Sequence, residues 1–429
     1  MTRFIRFRRS METITVTQPV PDISGNAFLP PVALVPFRQD SHDSAHPVVT
    51  EGTRVKEGQL IARGTAPATS RIHAPVPGMI RSFKKISCPD GGTSTAAEIL
   101  LSGSFDILGR KEENFSWKTS PESEIIRILE DKGVVSTFEE PVPLVELIRD
   151  AKKQKKPVIL VRLFDLDPTC QLDSILFKEF PDKVVEGAAL IAKALNIRSL
   201  YFVTDQDLDT GAITRAAEPM EAVILKTDTR YPSGNRKQLV KILPEAEQNR
   251  PGIFLDPSTA ITAYEAVVHN KPVVYRYVFV SGPAVARTSI LKVRIGTTLA
   301  ALIQESGGFT SPPSRIITNG LITGTAVQDL STPITKTTKS VHIMDKESCP
   351  DYTVHDCIHC GRCLQVCPVY IDPMELVEVI KNKKIRQKHI RSIESCQHCG
   401  CCTMVCPSRI PLHHILKNAR EAGFREEDK

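Results

Sequence analysis

The pattern of apolar and polar positions changes three times along the chain of 429 residues. Over residues 28–83, short runs alternate apolar and polar positions between Gly and Pro turns, which predicts a small all-β unit. Residues 121–230 alternate helix-length and strand-length apolar patterns, including a continuous apolar strand over residues 157–164 that is typical of a buried parallel sheet. This rhythm predicts an α/β domain.

Two further segments follow. Over residues 252–344, short β-branched runs surround a predicted helix at 299–305, which indicates a small β-grasp-like (soluble ligand-binding) α+β module. In the last segment, Asp372 as N-cap, Pro373 at the first helical position and Glu375 as a capping-box residue predict a helix. This helix is expected to connect two groups of cysteines.

The chain is therefore expected to be a multidomain α/β and α+β protein. The Gly-Thr and Glu-Gly pairs of the N-terminal unit match a lipoyl-like barrel, and because no Asp-Lys hairpin tip is present, a structural barrel is preferred. The predicted boundaries are 1–20 for a loose tail, 21–110 for the barrel, 111–250 for the α/β domain, 251–345 for the β-grasp module and 346–429 for the cysteine-rich domain.

Composition excludes several classes of protein. Lys and Arg exceed Asp and Glu by 55 to 49 without a long basic block, which does not favour nucleic-acid binding. No stretch approaches the roughly 20 apolar residues that cross a bilayer, so no transmembrane segment is expected. The arginine-rich start lacks the apolar region of a secretory signal. Cysteines are then expected to be reduced thiols.

Twelve cysteines are present, and nine of them lie between Cys357 and Cys406. Eight of these nine form two runs of C-x₂-C-x₂-C-x₃-C-P, the spacing that binds [4Fe–4S] clusters in bacterial ferredoxins. In such runs the fourth cysteine ligates the other cluster. The predicted ligands are Cys357, Cys360, Cys363 and Cys406 for the first cluster, and Cys396, Cys399, Cys402 and Cys367 for the second.

Crossed ligation ties the two runs together, so the domain is expected to need its metal to fold. The 28 residues between Cys367 and Cys396 predict a helical two-cluster ferredoxin, with each fourth cysteine at the start of a helix. Burial and hydrogen bonds from N–H groups near Gly361 and Gly400 to the sulfurs are expected to set the cluster potentials.

Structural zinc also uses C-x₂-C pairs and is the alternative to iron. Cys401 fits no ligand register and is expected to be a packed thiol near the cluster, while Cys88, Cys170 and Cys349 are expected to be small buried thiols. Three histidines stand near ligands and are expected to hydrogen-bond, to tune the potential or to be solvated rather than to bind metal. They are His355, His359 and His398.

Several phrases run in the order found in the C subunit of the Rnf-type ion-translocating electron-transport complex, over residues 28–424. The chain resembles that family. The matching phrases are Glu57-Gly-Gln-Leu-Ile-Ala, His73-Ala-Pro-Val-Pro-Gly, Tyr231-Pro-Ser-Gly-Asn-Arg-Lys-Gln-Leu, Thr259-Ala-Ile-Thr-Ala-Tyr-Glu-Ala, Lys271-Pro-Val-Val-Tyr-Arg, Val280-Ser-Gly, Arg294-Ile-Gly-Thr, Leu330-Ser-Thr-Pro-Ile-Thr-Lys and the double cysteine run.

The resemblance implies an α/β domain similar to the flavin- and NADH-binding subunit of respiratory complex I, which accepts hydride from NADH onto FMN and passes single electrons to the clusters. It also implies partners, namely other subunits of a membrane redox complex and a soluble electron donor or acceptor protein. The implied location is peripheral, on the cytoplasmic face of the inner or plasma membrane.

The family's glycine-rich nucleotide loop is altered. Its counterpart, residues 133–143, keeps only Gly133 and places Glu139 and Glu140 where they would repel phosphates. We therefore do not transfer the nucleotide site, and FMN and NADH stay open as cofactors. Two other family segments are replaced by Phe164-Asp-Leu-Asp-Pro-Thr-Cys170 and Asn319-Gly-Leu-Ile-Thr-Gly324, and the possible remnants, explained equally by solvated surface positions, are Asp165, Asp167 and Lys183.

The preferred hypothesis is an electron-transfer subunit of a membrane-associated, ion-translocating oxidoreductase that relays single electrons through two [4Fe–4S] clusters. One alternative is a subunit that itself oxidises NADH through FMN. The other is a redox-silent assembly scaffold.

Overall fold

The computed structural model describes residues 4–5, 21–41, 44–64, 70–103, 114–154, 157–205, 210–227, 230–250, 252–349 and 353–422. Their strands form a five-stranded, a six-stranded, a four-stranded, a three-stranded and a two-stranded sheet. In these residues no helix combines the length and the apolar character that crossing a membrane requires.

The N-terminal domain is a sandwich of two antiparallel sheets, in the orders β3-β9-β8-β5 and β4-β6-β7. Alternate residues of the strands point inward, and Val35, Ile61, Ile80 and Ile99 are fully buried between the sheets. The strands in this part of the chain are β1 (Phe4–Ile5), β2 (Ile23–Asn26), β3 (Val32–Pro36), β4 (His46–Pro47), β5 (Arg54–Val55), β6 (Leu60–Arg63), β7 (Ile72–His73), β8 (Gly78–Ser87) and β9 (Thr93–Leu101).

The α/β domain is built on a parallel sheet in the order β1-β14-β13-β12-β15. All five residues of β12 are buried, as a central strand covered on both faces requires. Its elements are α1 (Glu122–Asp131), β10 (Val135–Ser136), β11 (Val142–Pro143), α2 (Leu144–Lys152), β12 (Val158–Arg162), α3 (Asp173–Glu179), α4 (Pro181–Ala194), β13 (Ser199–Thr204), α5 (Thr210–Ala217), β14 (Glu221–Thr227), α6 (Arg236–Val240), α7 (Glu245–Gln248), β15 (Gly252–Leu255) and α8 (Pro257–Val267).

The third domain packs one helix against a mixed sheet in the order β19-β18-β20-β16-β17-β2. Leu299, Leu302 and Ile303 of its helix are buried against Val280 and Val341 of the sheet. Its elements are β16 (Tyr275–Ser281), β17 (Ser289–Arg294), α9 (Leu299–Glu305), β18 (Arg315–Thr318), β19 (Thr325–Val327) and β20 (Ser340–Met344).

The C-terminal domain is helical, with a small core of Leu376, Val377, Ile393 and Leu416. The side chain of Asp372 accepts hydrogen bonds from the backbone N–H groups of Met374 and Glu375, as the N-cap prediction requires. The helices are α10 (Arg362–Gln365), α11 (Pro373–Lys381), α12 (Gln387–Ser395), α13 (Cys401–Met404) and α14 (Leu412–Ala422). The Glu375 carboxylate accepts instead from Lys388, 3.3 Å away, so the predicted capping box is not the contact observed.

Three segments pair outside the predicted domain to which they were assigned. Phe4 and Ile5, assigned to a loose tail, pair with Lys226 and Thr227 at the edge of the α/β sheet, while most of residues 1–20 lie outside the described residues. β2, assigned to the barrel, pairs with β17 and covers the edge of the third domain's sheet. β15, assigned to the β-grasp module, pairs with β12, so the α/β domain continues through α8.

A candidate site for two iron–sulfur clusters

The two cysteine runs adopt the same local structure. Gly361 and Gly400 both have φ of +72°, a left-handed conformation that favours glycine, and they are the N-caps of α10 and α13. Two residues earlier, His359 and His398 are also left-handed, with φ of +53° and +51°. These successive left-handed residues give the two runs the same backbone curl.

Each run also makes the same hydrogen bond to sulfur. The backbone N–H of His359 donates to Cys357 Sγ at 3.4 Å, and that of His398 donates to Cys396 Sγ at 3.5 Å. Such bonds stabilise a negatively charged sulfur and raise the potential of a bound cluster. They come from the residue before the second cysteine, two positions before Gly361 and Gly400, and so lie near the glycines.

The four cysteines predicted to hold the second cluster line one cavity of about 330 Å³. Cys367, from the first run, faces this cavity together with Cys396, Cys399 and Cys402 of the second. Cys367 follows the end of α10 instead of starting a helix, so the prediction of its helical position is wrong. A [4Fe–4S] cube binds one thiolate at each of its four irons, and the donor set around this cavity fits that group.

The ends of the first ligand set are tied together by two hydrogen bonds. The backbone N–H of His355 donates to Ser408 O at 3.0 Å, and Ser408 Oγ donates to Asp356 O at 2.8 Å. The segment before Cys357 therefore lies beside the segment after Cys406. Across the described residues, no three His, Cys, Asp or Glu side chains converge closely enough to hold a single metal ion.

Burial controls the protonation of the second set. It raises the pKa of the Cys396 thiol to about 11 and that of Cys402 well above its usual range. The Cys401 thiol, which is fully buried, donates to Cys399 and lowers the pKa of Cys399. Because metals bind thiolates, loading this set with iron must release protons.

The second run is covered by the α/β domain. Tyr231 Oη donates to Cys399 O at 2.6 Å, and Gln238 Nε2 donates to Pro368 O at 3.3 Å. Lys237 Nζ donates to Ser395 O at 2.7 Å. These contacts place Tyr231 and α6, which belong to the family phrase at residues 231–239, against residues of the second run and of the cavity lining.

The third domain covers the other side of the second run. A Cβ atom at Gly400 would lie only 3.0 Å from Ile322 Cγ2, so the loop of residues 319–324 approaches the run closely. The buried Asp167 carboxylate holds this loop by accepting from the backbone N–H groups of Ile322 and Thr323 at 2.9 and 3.2 Å. The segment that replaces a family glycine-rich turn therefore packs against the second run at Gly400, and we call residues 319–324 the lid.

The first run is open by comparison. Cys360 is exposed, and so are the side chains of Ile358, His359 and Arg362 around it. Five of the twelve large apolar side chains that are exposed in the described part of the chain lie within three residues of a predicted ligand. We call these five the outer apolar group: Val354, Ile358, Leu364, Tyr370 and Met404.

The altered nucleotide loop has a structural role. Gly133 has φ of +68°, and a Cβ atom there would lie 2.2 Å from Arg71 O of the barrel. The buried Lys336 donates to Gly133 O at 2.7 Å and to Arg71 O at 2.6 Å, which joins three domains. Glu139, which was expected to face phosphates, is exposed and accepts from the backbone N–H of Arg236. Glu140 is exposed as well.

Side chains fill the carboxyl edge of the parallel sheet, where open α/β sheets bind their ligands. Arg162 is fully buried, donates to Phe164 O and Gly234 O at 2.9 Å each, and stacks on the Phe138 ring. Beside it, Lys339 Nζ lies 2.6 Å from carboxylate oxygens of both Asp173 and Asp256. No pattern in the sequence indicated this ion-pair network, because its members come from two domains.

The three residues considered as nucleotide-site remnants have other partners. Asp165 accepts from the backbone N–H groups of residues 172–174 and caps α3, and Lys183 pairs with Glu265 at 2.6 Å. Asp167 is 3% exposed, so its interpretation as a solvated position is wrong.

The remaining cysteines and histidines differ in how far they are exposed to solvent. Cys88 and Cys170 are buried as expected, whereas Cys349 is only half-buried. His355 and His359 are exposed. His398 is half-buried, with its ring centroid 6.0 Å from that of His413.

Four sequence families match the chain in the order of its domains. Residues 14–103 match the RnfC barrel sandwich hybrid domain, residues 130–273 the Nuo51 FMN-binding domain, residues 277–326 the SLBB domain and residues 356–410 the 4Fe-4S dicluster domain. Among solved structures, the chain resembles NAD⁺-reducing [NiFe]-hydrogenase in the air-oxidized state, with a TM-score of 0.51, 14% identity, and coverage of 73% of this chain and 66% of that one.

These matches confirm the predicted fold class and define a multidomain iron–sulfur protein with a 4Fe-4S dicluster domain. Curated relatives include the C subunit of a proton-translocating ferredoxin:NAD⁺ oxidoreductase complex of Clostridium ljungdahlii, 28% identical over 84% of this chain and 81% of the relative. The C subunit of an ion-translocating oxidoreductase complex of Rhodobacter capsulatus is 26% identical over 81% and 69%. That of a Na⁺-translocating ferredoxin:NAD⁺ oxidoreductase complex of Acetobacterium woodii is 22% identical over 81% of each chain. The chain is a homologue of these Rnf-type C subunits, as its motifs predicted.

Proposed function

We propose that this chain is a peripheral electron-transfer subunit of an ion-translocating oxidoreductase, in which two [4Fe–4S] clusters are held by the eight cysteines of the two runs. The observation that carries the proposal is the cavity that Cys367 shares with Cys396, Cys399 and Cys402. The names of the relatives support partner subunits in a membrane complex and a soluble ferredoxin or NAD⁺ as a redox partner.

When bound, the two clusters supply one-electron chemistry at potentials that the protein tunes. The chain's own residues position the thiolates and control access to them. Tyr231 and the lid at 319–324 shield the second set from solvent, so the second set is the inner redox site. Cys360, which is exposed, makes the first set the outer site.

The outer site has the properties of a docking surface for another redox protein. The outer apolar group lies within three residues of the predicted ligands along the chain, and in the described residues 353–367 and 406–410 the exposed charged side chains are Arg362, Arg409 and Asp356. An acidic electron-transfer partner complements this surface, since opposite charges speed encounter while apolar contacts hold the complex. Attachment to the cytoplasmic face of the membrane would then come from partner subunits.

The test is anaerobic purification of the full chain with iron, sulfide and flavin measured on the same sample, followed by EPR of the reduced protein. We expect about eight irons and as many sulfides per chain, with the spectrum of two interacting clusters. Stoichiometric zinc, or no metal at all, would contradict the proposal.

A second candidate function is oxidation of NADH through bound FMN, which the match to the Nuo51 FMN-binding domain favours. Against it, Gly133 is packed on the barrel, and Arg162 and Lys339 occupy the sheet edge. One FMN per chain, together with rapid bleaching of the cluster absorbance by NADH, would establish the second function. We expect flavin-free protein that NADH does not reduce.

A further inference from the structure

A second cavity, of about 420 Å³, lies between α8 and β16, away from the cysteine runs. Ser258 and Thr262 of α8 line one side, and Tyr275, Arg276 and Tyr277 of β16 line the other. The proposed electron-transfer function does not use this cavity.

The guanidinium of Arg276 is the central feature of this cavity. Arg276 is only 4% exposed, and its Nη1 donates to Thr262 Oγ1 at 3.0 Å. Its Nε and Nη2 have no hydrogen-bond partner. These two nitrogens form one edge of the planar group, whose two parallel N–H bonds match two oxygens of a carboxylate or phosphate. The unpartnered atoms are therefore a complete oxyanion-binding edge.

A comparison with Arg162 indicates that this edge is unusual for a buried arginine here. Arg162 is also buried, yet its Nε and Nη1 both donate to backbone carbonyls, of Phe164 and Gly234. Only its Nη2 lacks a partner. The Nε of Arg162 thus donates to a backbone carbonyl oxygen. In Arg276, neither Nε nor Nη2 has an acceptor.

The carboxylates near Arg276 are engaged elsewhere. Asp173 and Asp256 attract the guanidinium, but their short contacts are with Lys339. Glu265, which also lines the cavity, pairs with Lys183 at 2.6 Å and with Lys271 at 3.6 Å. A buried charge without a hydrogen-bonded counterion is costly, so this site favours an anion from outside the chain.

A hydroxyl group complements the arginine. Ser258 is 4% exposed, lines the same cavity, and its Oγ has no hydrogen-bond partner. The rings of Tyr275 and Tyr277 supply apolar walls with hydroxyl groups at their ends. Arg276, Ser258 and the two tyrosines thus supply hydrogen-bond donors, and the carboxylate that lines the cavity, that of Glu265, is already paired with lysines.

We propose that this cavity is a binding site for a small oxyanion, the carboxylate or phosphate group of a metabolite. The Nε and Nη2 atoms of Arg276 take two of its oxygens and Ser258 donates to the anion as well. Because the cavity lies where the α/β domain meets the third domain, a bound anion stabilises that interface.

The experiment titrates the purified, cluster-loaded full chain with sodium phosphate in one arm and sodium acetate in the other, each balanced with sodium chloride to constant ionic strength. Thermal unfolding is measured at every concentration. We expect a saturable rise in the unfolding temperature in at least one arm, since a ligand that binds only the native state stabilises it. The arm that responds distinguishes phosphate from carboxylate.

Two variants locate the effect. Arg276→Lys keeps the charge but loses the two-donor edge, and we expect about tenfold weaker binding or more. Ser258→Ala is milder and is expected to weaken binding by a few fold. The matched controls are Arg294→Lys, on the neighbouring strand β17 and paired with Glu57 of the barrel, and Thr297→Val, which removes a buried hydroxyl outside the cavity. Both controls are expected to bind as the unmodified chain does.

The proposal is overturned if neither anion gives a saturable shift, or if Ser258→Ala and Arg276→Lys respond like their controls. A high-resolution structure with only water on the Nε edge at saturating anion would have the same consequence. Iron content and the EPR spectrum are recorded on the same samples. They report the electron-transfer proposal separately, so either proposal can fail without the other.

Discussion

The two cysteine runs have the same spacing and the same backbone turns, but their surroundings differ. At equal positions, Ile358, His359 and Cys360 of the first run are exposed, whereas Gln397, His398 and Cys399 of the second are half-buried. The position held by exposed Arg362 in the first run holds the fully buried Cys401 in the second. The cysteine motif therefore specifies the local structure of a cluster loop but not the exposure of that loop to solvent.

The difference arises from other domains. Tyr231, Lys237 and the lid at 319–324 reach the second run, and among the described contacts no equivalent set from those domains reaches the first. Burial and access of partners are the quantities that distinguish an internal redox site from a terminal one. The following predictions test this distinction, beginning with the largest expected effect.

Removing a crossing ligand is expected to abolish the cluster of the opposite run. Cys367 belongs to the first run in the sequence, but Cys367→Ser should destroy the second cluster. The iron content should then fall from about eight to about four atoms per chain. Iron and sulfide analysis with EPR checks this. Cys406→Ser is the reciprocal variant and should destroy the first cluster while the second cluster remains. Cys401→Ser changes a residue that lines the cavity of the second set, but both clusters should remain. Loss of the first cluster in Cys367→Ser would refute crossed ligation.

Chelators and oxidants are expected to discriminate between the two sets. Because Cys360 is exposed and the second set is covered, iron should be lost in two phases. The half bound by the first set should be lost much faster than the half bound by the second set. Stopped-flow absorbance with a coloured iron chelator under mild oxidation records both phases. In Cys360→Ser, the fast phase should disappear. A single phase in the unmodified chain would mean that both sets are equally accessible.

Weakening the contacts that other domains make with the second run should accelerate iron loss from the second set only. Tyr231→Phe removes the hydrogen bond to Cys399 O and is expected to cost about 1 kcal/mol. The slow phase of iron loss should then accelerate by several fold, with the fast phase unchanged. Tyr370→Phe is the control, since Tyr370 is 57% exposed near the first run. Equal acceleration of both phases by Tyr231→Phe would show that the cover is not specific.

The smallest effect is expected at the two matched histidines. His359→Asn and His398→Asn both keep a residue that tolerates left-handed backbone. His359 is exposed, so its replacement should change the temperature of cluster loss very little. His398 is half-buried near His413, so its replacement should lower that temperature measurably. Absorbance during anaerobic heating compares the two variants, and identical shifts would contradict the difference in packing.

Local signals in the sequence predicted much of the fold. The pattern at residues 299–305 predicted α9 with the bounds observed, and the apolar run at 157–164 predicted the buried strand β12. Asp372 and Pro373 predicted the start of α11. These predictions succeeded because helix caps and apolar periodicity act over a few neighbouring residues.

Contacts between distant parts of the chain were not predictable in the same way. β1 and β2 pair with strands more than 200 residues later, and the pairs of Lys339 with Asp173 and Asp256 join residues from two domains. A two-residue or four-residue strand carries too little pattern to indicate its partner. Arg276 likewise stood in a recognised phrase, but its unpartnered edge is a property of its surroundings.

The amino-acid sequence by itself determined the chemistry of the two runs, since cysteine spacing and left-handed glycines set the reach of each thiol within one short loop. Only the tertiary structure decided which run is covered by other domains and which is exposed. The reason is physical: solvent exposure of a loop depends on what packs against it, and here the packing groups come from residues 78 and 168 positions away in the chain.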